Sequence, residues 1–458
     1  MDFMKEQHRI PALAPLVEGR TASSSVAYPV DTTGVANQLF SQYGVTGQPI
    51  PVVFRDLVPW LKVGERATHY LHSYPAKLLP HIAHFFLASE NMCPADGLVL
   101  DPFSGSGTVA LEACLSGRPA AIADTNPLAR LITVAKHSII PAKSLQNGFE
   151  RIEKRYLRAR TRKHPAVVNI DRWFQPQVIR ALARLKASID KERPTALKIL
   201  LLATFSAVVR RVSNADPKLS VPVALKGDLH QFRGVDVWMK FSNQFWANAR
   251  RIEEFKQLNP SEPRLSLAGI DARCLHVDSG GQLQSDSVDL VITSPPYAGA
   301  QKYIRASSLS LGWLGLAEEG QLKPLENRTI GREHLPKGSA SHFITSVASA
   351  NSVIARIRDR NSLRAAICAT YLCEMEEAIC ELYKVVRPGG KFVLVIGNNE
   401  VCGEDFMSSV YLREIALSVG FALELELIDE IKSRGLMTKR NRTASIIKRE
   451  WVLVFKKC

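Results

Sequence analysis

Short apolar, β-branched runs alternate with helical-period stretches over much of this chain, which predicts an α/β fold built on a mostly parallel sheet. Val288, Leu290, Val291 and Ile292 have the character of a central buried strand. Comparable runs predict strands at 97–101, 120–123, 264–270 and 391–396. Helical patterns lie between them, from Tyr74 to Ala88, from Val109 to Ser116, from Asn126-Pro127 onward, and as far as Leu316. Ile367, Tyr371, Met375, Ala378, Leu382 and Val385 trace one face of an amphipathic helix that stops at Arg387-Pro388-Gly389-Gly390. Phe421 to Ile428 and Trp451 to Phe455 are two further strands.

Three stretches break the alternation. Residues 1–60 carry Pro, Gly and Ser punctuation with little periodicity, and are expected to be an N-terminal extension lying on the core or against a partner. Residues 141–264 form a mostly helical insertion that splits the remaining domain into 61–140 and 265–458. Its most apolar run, Ala196 to Val209, is too short for a membrane span and contains Lys198, so a buried helix is expected. Trp173, Phe174, Trp238, Phe241, Phe245 and Trp246 are expected in its core. From Glu318 to Asn351 the chain is polar and aperiodic, a loop that is either a lid or an insertion without a role. Arg328, Arg332, His334 and Lys337 would be available there to phosphates.

Two motifs carry candidate chemistry. The strand at 288–292 runs into Thr293-Ser294-Pro295-Pro296-Tyr297. Consecutive prolines fix φ and stiffen the backbone, so a hydroxyl, a free proline carbonyl and an aromatic face are held close together. That set suits a planar base bearing an NH2 group, with two acceptors for the amine protons and a ring to stack on. The second motif, Asp101-Pro-Phe103-Ser-Gly105-Ser-Gly107-Thr108, sits at a strand-to-helix turn where the glycines let a ligand approach the backbone. Gly105-x-Gly107-x-x-Ala110 also loosely fits a dinucleotide fingerprint. A P-loop is excluded, because no Lys follows the second glycine.

Together the two motifs resemble the DNA amino-methyltransferases, which use S-adenosylmethionine to methylate the N4 amine of cytosine or the N6 amine of adenine. The resemblance spans roughly residues 65–140 and 265–458. It implies a Rossmann-like seven-stranded methyltransferase sheet, with the strands at 421–428 and 451–455 as its antiparallel pair. It places the methionine part of the cofactor against Asp101, Phe103, Gly105 and Gly107, the ribose on Asp124 and the adenine on Asp271. Tyr74, in His72-Ser-Tyr-Pro-Ala-Lys-Leu78, fits a cofactor-touching motif ahead of the first strand. Catalysis falls to Ser294, Pro295, Pro296 and Tyr297, acting on a flipped or single-stranded base.

A serine at the head of the tetrad favours cytosine N4, with adenine N6 the alternative. An RNA amino-methyltransferase would share these features. A non-catalytic relative would be expected to have lost Ser294, Tyr297 or the glycines. Carbon-5 methylation is excluded, because its nucleophile is presented as Pro-Cys and that dipeptide is absent from the sequence. The large insertion lies between the ribose and adenine acids, a departure that leaves the target-recognition segment unassigned.

Charge adds a partner. The 458 residues carry 59 Lys plus Arg against 44 Asp plus Glu, a net +15, which fits a polyanion and, given the motifs, DNA. Arg151, Arg155, Arg158 and Arg162 recur at steps of four, three and four, lining one helix face with Glu153 the only acid between them, and are expected to touch phosphates. Lys439, Arg440 and Arg442 form a second basic cluster between the last two strands, either gripping a backbone or forming a solvated hairpin tip. Eight scattered cysteines without a Cys-x-x-Cys pair argue for a reducing compartment and against a structural metal. No signal peptide or membrane span is read, so the expected location is the cytoplasm, with restriction or defence proteins as further partners.

Overall fold

The sheet is assembled in the order β1-β9-β10-β6-β5-β2-β3-β4. In chain order the strands are β1 (Ile50–Val52), β2 (Val99–Asp101), β3 (Ala120–Ala123), β4 (Leu265–Gly269), β5 (Val288–Thr293), β6 (Val386–Ile396), β7 (Asn399–Val401), β8 (Glu404–Phe406), β9 (Phe421–Glu430) and β10 (Arg449–Lys457). Strand β10 runs antiparallel to both β6 and β9, and the other pairings in this sheet are parallel. Strands β7 and β8 form a separate small hairpin.

This is the expected Rossmann-like arrangement, with eight strands where seven were expected. The addition is β1, which comes from the segment read as an extension and pairs Ile50 with Leu427 at the sheet edge. Three residues around Pro51 are too few to show a period, and an edge strand tolerates the proline.

The helices are α1 (Thr33–Thr46), α2 (Phe54–Leu57), α3 (Pro80–Leu87), α4 (Thr108–Leu115), α5 (Pro127–Lys136), α6 (Ala142–Arg158), α7 (Ile170–Trp173), α8 (Pro176–Asp190), α9 (Ala196–Arg211), α10 (Gly234–Leu258), α11 (Tyr303–Leu314), α12 (Leu322–Arg328), α13 (Ala348–Arg360), α14 (Ser362–Val385) and α15 (Ser408–Val419). The computed structural model describes residues 31–61, 66–75, 77–160, 165–225, 234–258, 262–299, 302–317, 322–336, 343–430 and 449–458. Residues 31–458 form one compact unit. None of the described helices is long and apolar enough to cross a membrane.

Two expected elements differ. The helix read from Tyr74 begins only at Pro80, because Pro75 disfavours helical geometry before it and Pro80 opens the helix at its first turn. The aperiodic stretch after Glu318 contains α12 and runs into α13, both short or polar enough to hide their period. Between β3 and β4 the described residues hold α5 to α10 and no strand. Helix α9 is buried along most of its length, and Phe174, Phe241 and Phe245 are fully enclosed. Trp173, Trp238 and Trp246 pack half-buried against the same cluster.

A buried carboxylate ties the segment before α3 to the sheet layer. Glu112 of α4 lies 3.1 Å from Arg66 Nε, 2.7 Å from His69 Nε2 and 3.4 Å from His84 Nδ1. Burial alone would raise its pKa, but Arg66 and the two histidines outweigh that and hold it well below the usual carboxylate range. His69 is kept neutral by its own burial. Removing the charge takes the buried carboxylate away from Arg66, His69 and His84. Glu112→Gln should therefore lose about 3 kcal/mol at pH 7 in urea unfolding. A depressed carboxylate contributes stability above its unfolded pKa of about 4.3 and loses it below, so the gap between variant and parent should narrow under about pH 4. A gap independent of pH would show that Glu112 is not ionised in the folded state.

Candidate active site

The chain passes from β2 to β3 and β4 on one side, then returns to β5 on the other side of β2. That reversal opens a crevice at the carboxyl ends of the strands, where open α/β sheets bind ligands. A cavity lies there. Pro102, Phe103 and Gly105 reach it from the end of β2, Asp124, Thr125 and Asn126 from β3, Asp271 and Ala272 from β4, and Ser294 and Pro296 from β5. Tyr74, Tyr303, Ile304, Thr329 and Ile330 complete the lining.

The glycine turn is shaped by positive φ. Gly105 at +50° and Gly107 at +74° adopt a conformation open chiefly to glycine. Gly105 N–H donates to Asp124 Oδ2 at 2.8 Å, and Asn126 N–H donates to Asp124 Oδ1 at 2.8 Å. Burial nevertheless lifts the Asp124 pKa to about 6, with these two bonds opposing the rise. Asn126 is a second organiser. Its side chain caps α5 through Leu128 N and donates to Tyr74 Oη at 3.0 Å and Ser307 Oγ at 3.1 Å. The Tyr74 and Tyr303 rings then lie parallel, 6.4 Å apart with 4° between planes.

The expected residues divide into those at the cavity and those behind it. Tyr74, Phe103, Gly105, Asp124, Asp271, Ser294 and Pro296 face it. Asp101 does not line it: fully buried, it accepts from Thr293 Oγ1 at 2.7 Å and from Phe103 N at 3.2 Å, and burial raises its pKa to about 7. Gly107 packs against Thr133. Tyr297, 7% exposed, is also outside the lining, and its hydroxyl donates to Glu450 Oε1 at 2.9 Å. Pro295 is buried beside it. Ser294 Oγ has no hydrogen bond among the described residues.

Asp271 is gripped by Arg273, with Nε 3.0 Å from Oδ1 and Nη2 2.7 Å from Oδ2. Asn126, Thr293, Tyr303 and the Thr329–Ile330 segment were not foreseen as site residues. Of these, Asn126 left a signal as a helix-capping residue ahead of Pro127, and Thr293 stood at the head of the strand-exit motif.

The arginine stripe also differs from expectation. Arg151 Nη2 lies 3.0 Å and Arg155 Nη1 2.5 Å from Glu192, an acid remote in sequence whose single charge the two share. Arg158 is exposed, and Arg162 lies outside the described residues, as do Lys439, Arg440 and Arg442. Arg332 is likewise engaged, by Glu374 at 2.7 Å.

The family model for the RMKL-like methyltransferase domain, UPF0020, matches residues 69–185, the part that supplies Tyr74, the glycine turn and Asp124. The Type II methyltransferase M.MvaI of Kocuria varians is 25% identical over 366 residues, covering 76% of this chain and 80% of that relative. The Type II methyltransferase M.AvaI of a Nostoc strain is 24% identical over 364 residues, covering 72% and 74%. Among solved structures, the rRNA methyltransferase aviRa of Streptomyces viridochromogenes is 11% identical over 88% of this chain and 96% of that one, with a TM-score of 0.36. The domain match and the two relatives support a methyltransferase.

Gly107 offers a test of the turn itself. A Cβ there would fall 2.5 Å from Thr133 Cγ2, at a φ of +74°. Gly107→Ala should cost about 2 kcal/mol in denaturant unfolding, through strain and overpacking together. An unchanged midpoint would mean the turn has room that this geometry denies.

Proposed function

We propose that this protein is an S-adenosylmethionine-dependent DNA methyltransferase that modifies an exocyclic amine of a nucleobase, with cytosine N4 as the target. The observation that carries the reading is the meeting, in one cavity, of Ser294 and Pro296 with Gly105, Asp124 and Asp271. The lining fits the cofactor. Asp124 presents an acceptor carboxylate already fixed by two backbone donors, suited to a ribose diol, and Gly105 has no side chain to occupy the turn. When bound, S-adenosylmethionine supplies an electrophilic methyl on sulfonium.

The chain's task is to make a poor nucleophile attack. The lone pair of an exocyclic amine is delocalised into the ring, and localising it requires acceptors for its protons. Ser294 Oγ and the Pro295 carbonyl take that part, holding the amine in line while its lone pair turns toward the methyl. Tyr297 serves as the ring platform, with its hydroxyl anchored on Glu450. Gly331 sits tightly on the tetrad, since a Cβ there would fall 2.7 Å from the Tyr297 carbonyl oxygen and 2.9 Å from Pro296 Cβ. DNA as the substrate is supported by the two Type II relatives and by the net charge of +15. The serine at the head of the tetrad favours cytosine over adenine.

The test is methyl transfer from labelled S-adenosylmethionine, followed by nucleoside analysis of the DNA. N4-methylcytosine is expected, and N6-methyladenine would correct the base. Label entering RNA alone would remove DNA as the substrate. Ser294→Ala should lower turnover about 100-fold while cofactor affinity stays unchanged. Full activity in that variant would take Ser294 out of the mechanism.

A further inference from the structure

The cavity has a roof, Thr329 and Ile330, and a wall, Asp271 and Ala272, that come from segments distant in sequence. One carboxylate on a third element joins them. Glu374 of α14 accepts from Arg332 Nη1 with both oxygens, at 2.7 and 2.8 Å, and from Arg273 Nη1 at 2.9 Å. Arg273 holds the Asp271 carboxylate with its other nitrogens and donates from Nη2 to the Arg328 carbonyl at 2.9 Å. The roof is therefore fastened at Arg328 and again at Arg332, and Thr329–Gly331 spans the two fixed points. Gly331, at φ +76°, supplies the bend that seats this span on the tetrad.

The geometry points to Glu374 as a positioning residue that sets the cofactor wall and the roof relative to each other through Arg273 and Arg332; this rests on the cofactor reading of the cavity. Its side chain is 12% exposed, it is not part of the cavity lining, and its hydrogen bonds go to the two arginines, so it acts through them. Two guanidinium groups converge on it. With the charge removed they repel, and the roof and Asp271 lose their common reference. Arg273 has a role here that lysine fills poorly, because its planar fork bonds Asp271, Glu374 and the Arg328 carbonyl at once where an ammonium is a point charge.

The experiment measures S-adenosylmethionine binding by calorimetry, steady-state methyl transfer and the thermal midpoint on the full chain and on Glu374→Gln, Arg332→Ala and the double variant. Glu374→Gln is expected to raise both Kd and KM for the cofactor about tenfold. Arg332→Ala, which removes a largely buried guanidinium, is expected to raise them about fivefold, with the thermal midpoint showing how much of the chain stays folded. The double variant should be no worse than Glu374→Gln alone, because both changes break the same link. A merely structural role would lower the active fraction and the midpoint while leaving KM unchanged. Cofactor Kd and KM within twofold of the parent in the folded variants, or additive losses in the double variant, overturn the proposal. If the parent chain binds no S-adenosylmethionine, the cofactor reading itself fails and the positioning role goes with it.

Discussion

The hydrogen bond from Thr293 Oγ1 to Asp101 Oδ1, 2.7 Å long and fully buried, joins two motifs 192 residues apart in sequence. It lies where β2 and β5 run side by side, with Val99 opposite Leu290 and Leu100 opposite Val291. Neighbouring parallel strands alternate their side chains, so a slip of one residue would turn Ser294 away from the crevice and the glycine turn out of reach of it. The bond fixes the height of one strand end against the other. Asp101 also accepts from Phe103 N, so the same carboxylate shapes the start of the glycine turn. Burial lifts its pKa to about 7, with no cation bonded to it among the described residues.

The strands and the two turns at their ends were legible in the sequence because each is a local pattern. An apolar run followed by Asp-Pro-Phe-Ser-Gly or Ser-Pro-Pro-Tyr specifies a strand and its exit without reference to anything else. What the sequence concealed is the pairing of charges over long separations. Arg151 and Arg155 look unpartnered until the turn after α8 brings Glu192 to them. Arg332 looks like a phosphate ligand in a polar loop until α14 presents Glu374. Tyr297 reads as an open ring until β10 brings Glu450 to its hydroxyl. In each case a glutamate distant in sequence changes the meaning of a group whose local context is silent. The same holds for β1, where three residues acquire strand geometry only because the edge of β9 is there to pair with them.

Asp271 shows how such pairing refines a role without removing it. Both of its oxygens already bond Arg273, yet it still faces the cavity. A carboxylate oxygen has more than one lone pair, so a fixed arginine leaves acceptor capacity and removes rotational freedom. An acid held this way offers an acceptor at a set position, and a small ligand loses less entropy finding a site that does not have to order itself.

The helices between β3 and β4 contribute to this order although none of α6 to α10 lines the cavity. Helix α9 packs on α5 and α11, and its Ser206 hydroxyl meets His72 Nε2 at 3.0 Å while Ser310 Oγ reaches its carbonyl at 3.4 Å. Tyr74 and Ile304, both at the cavity, belong to the apolar cluster these helices build. The polar groups in this buttress include hydroxyls, amides and an imidazole, with Arg211 donating to Gln244 and Lys77 to the His72 carbonyl. His72 in particular is held neutral, its pKa driven down to about 3 by burial, with Lys77 and Lys136 adding to the effect. Neutral partners suit the position, because each buried bond there costs little desolvation, whereas an imidazolium facing two lysines would strain the wall that carries Tyr74. Behind it Glu112 makes the opposite choice, a buried charge matched by Arg66, and so ties the same segment to α4. The tyrosine wall is thus held through His72 and Asn126 on the side of α9 and α11, and through the Glu112 ion pair on the side of α4. Its position then follows from packing, whether or not a ligand is bound.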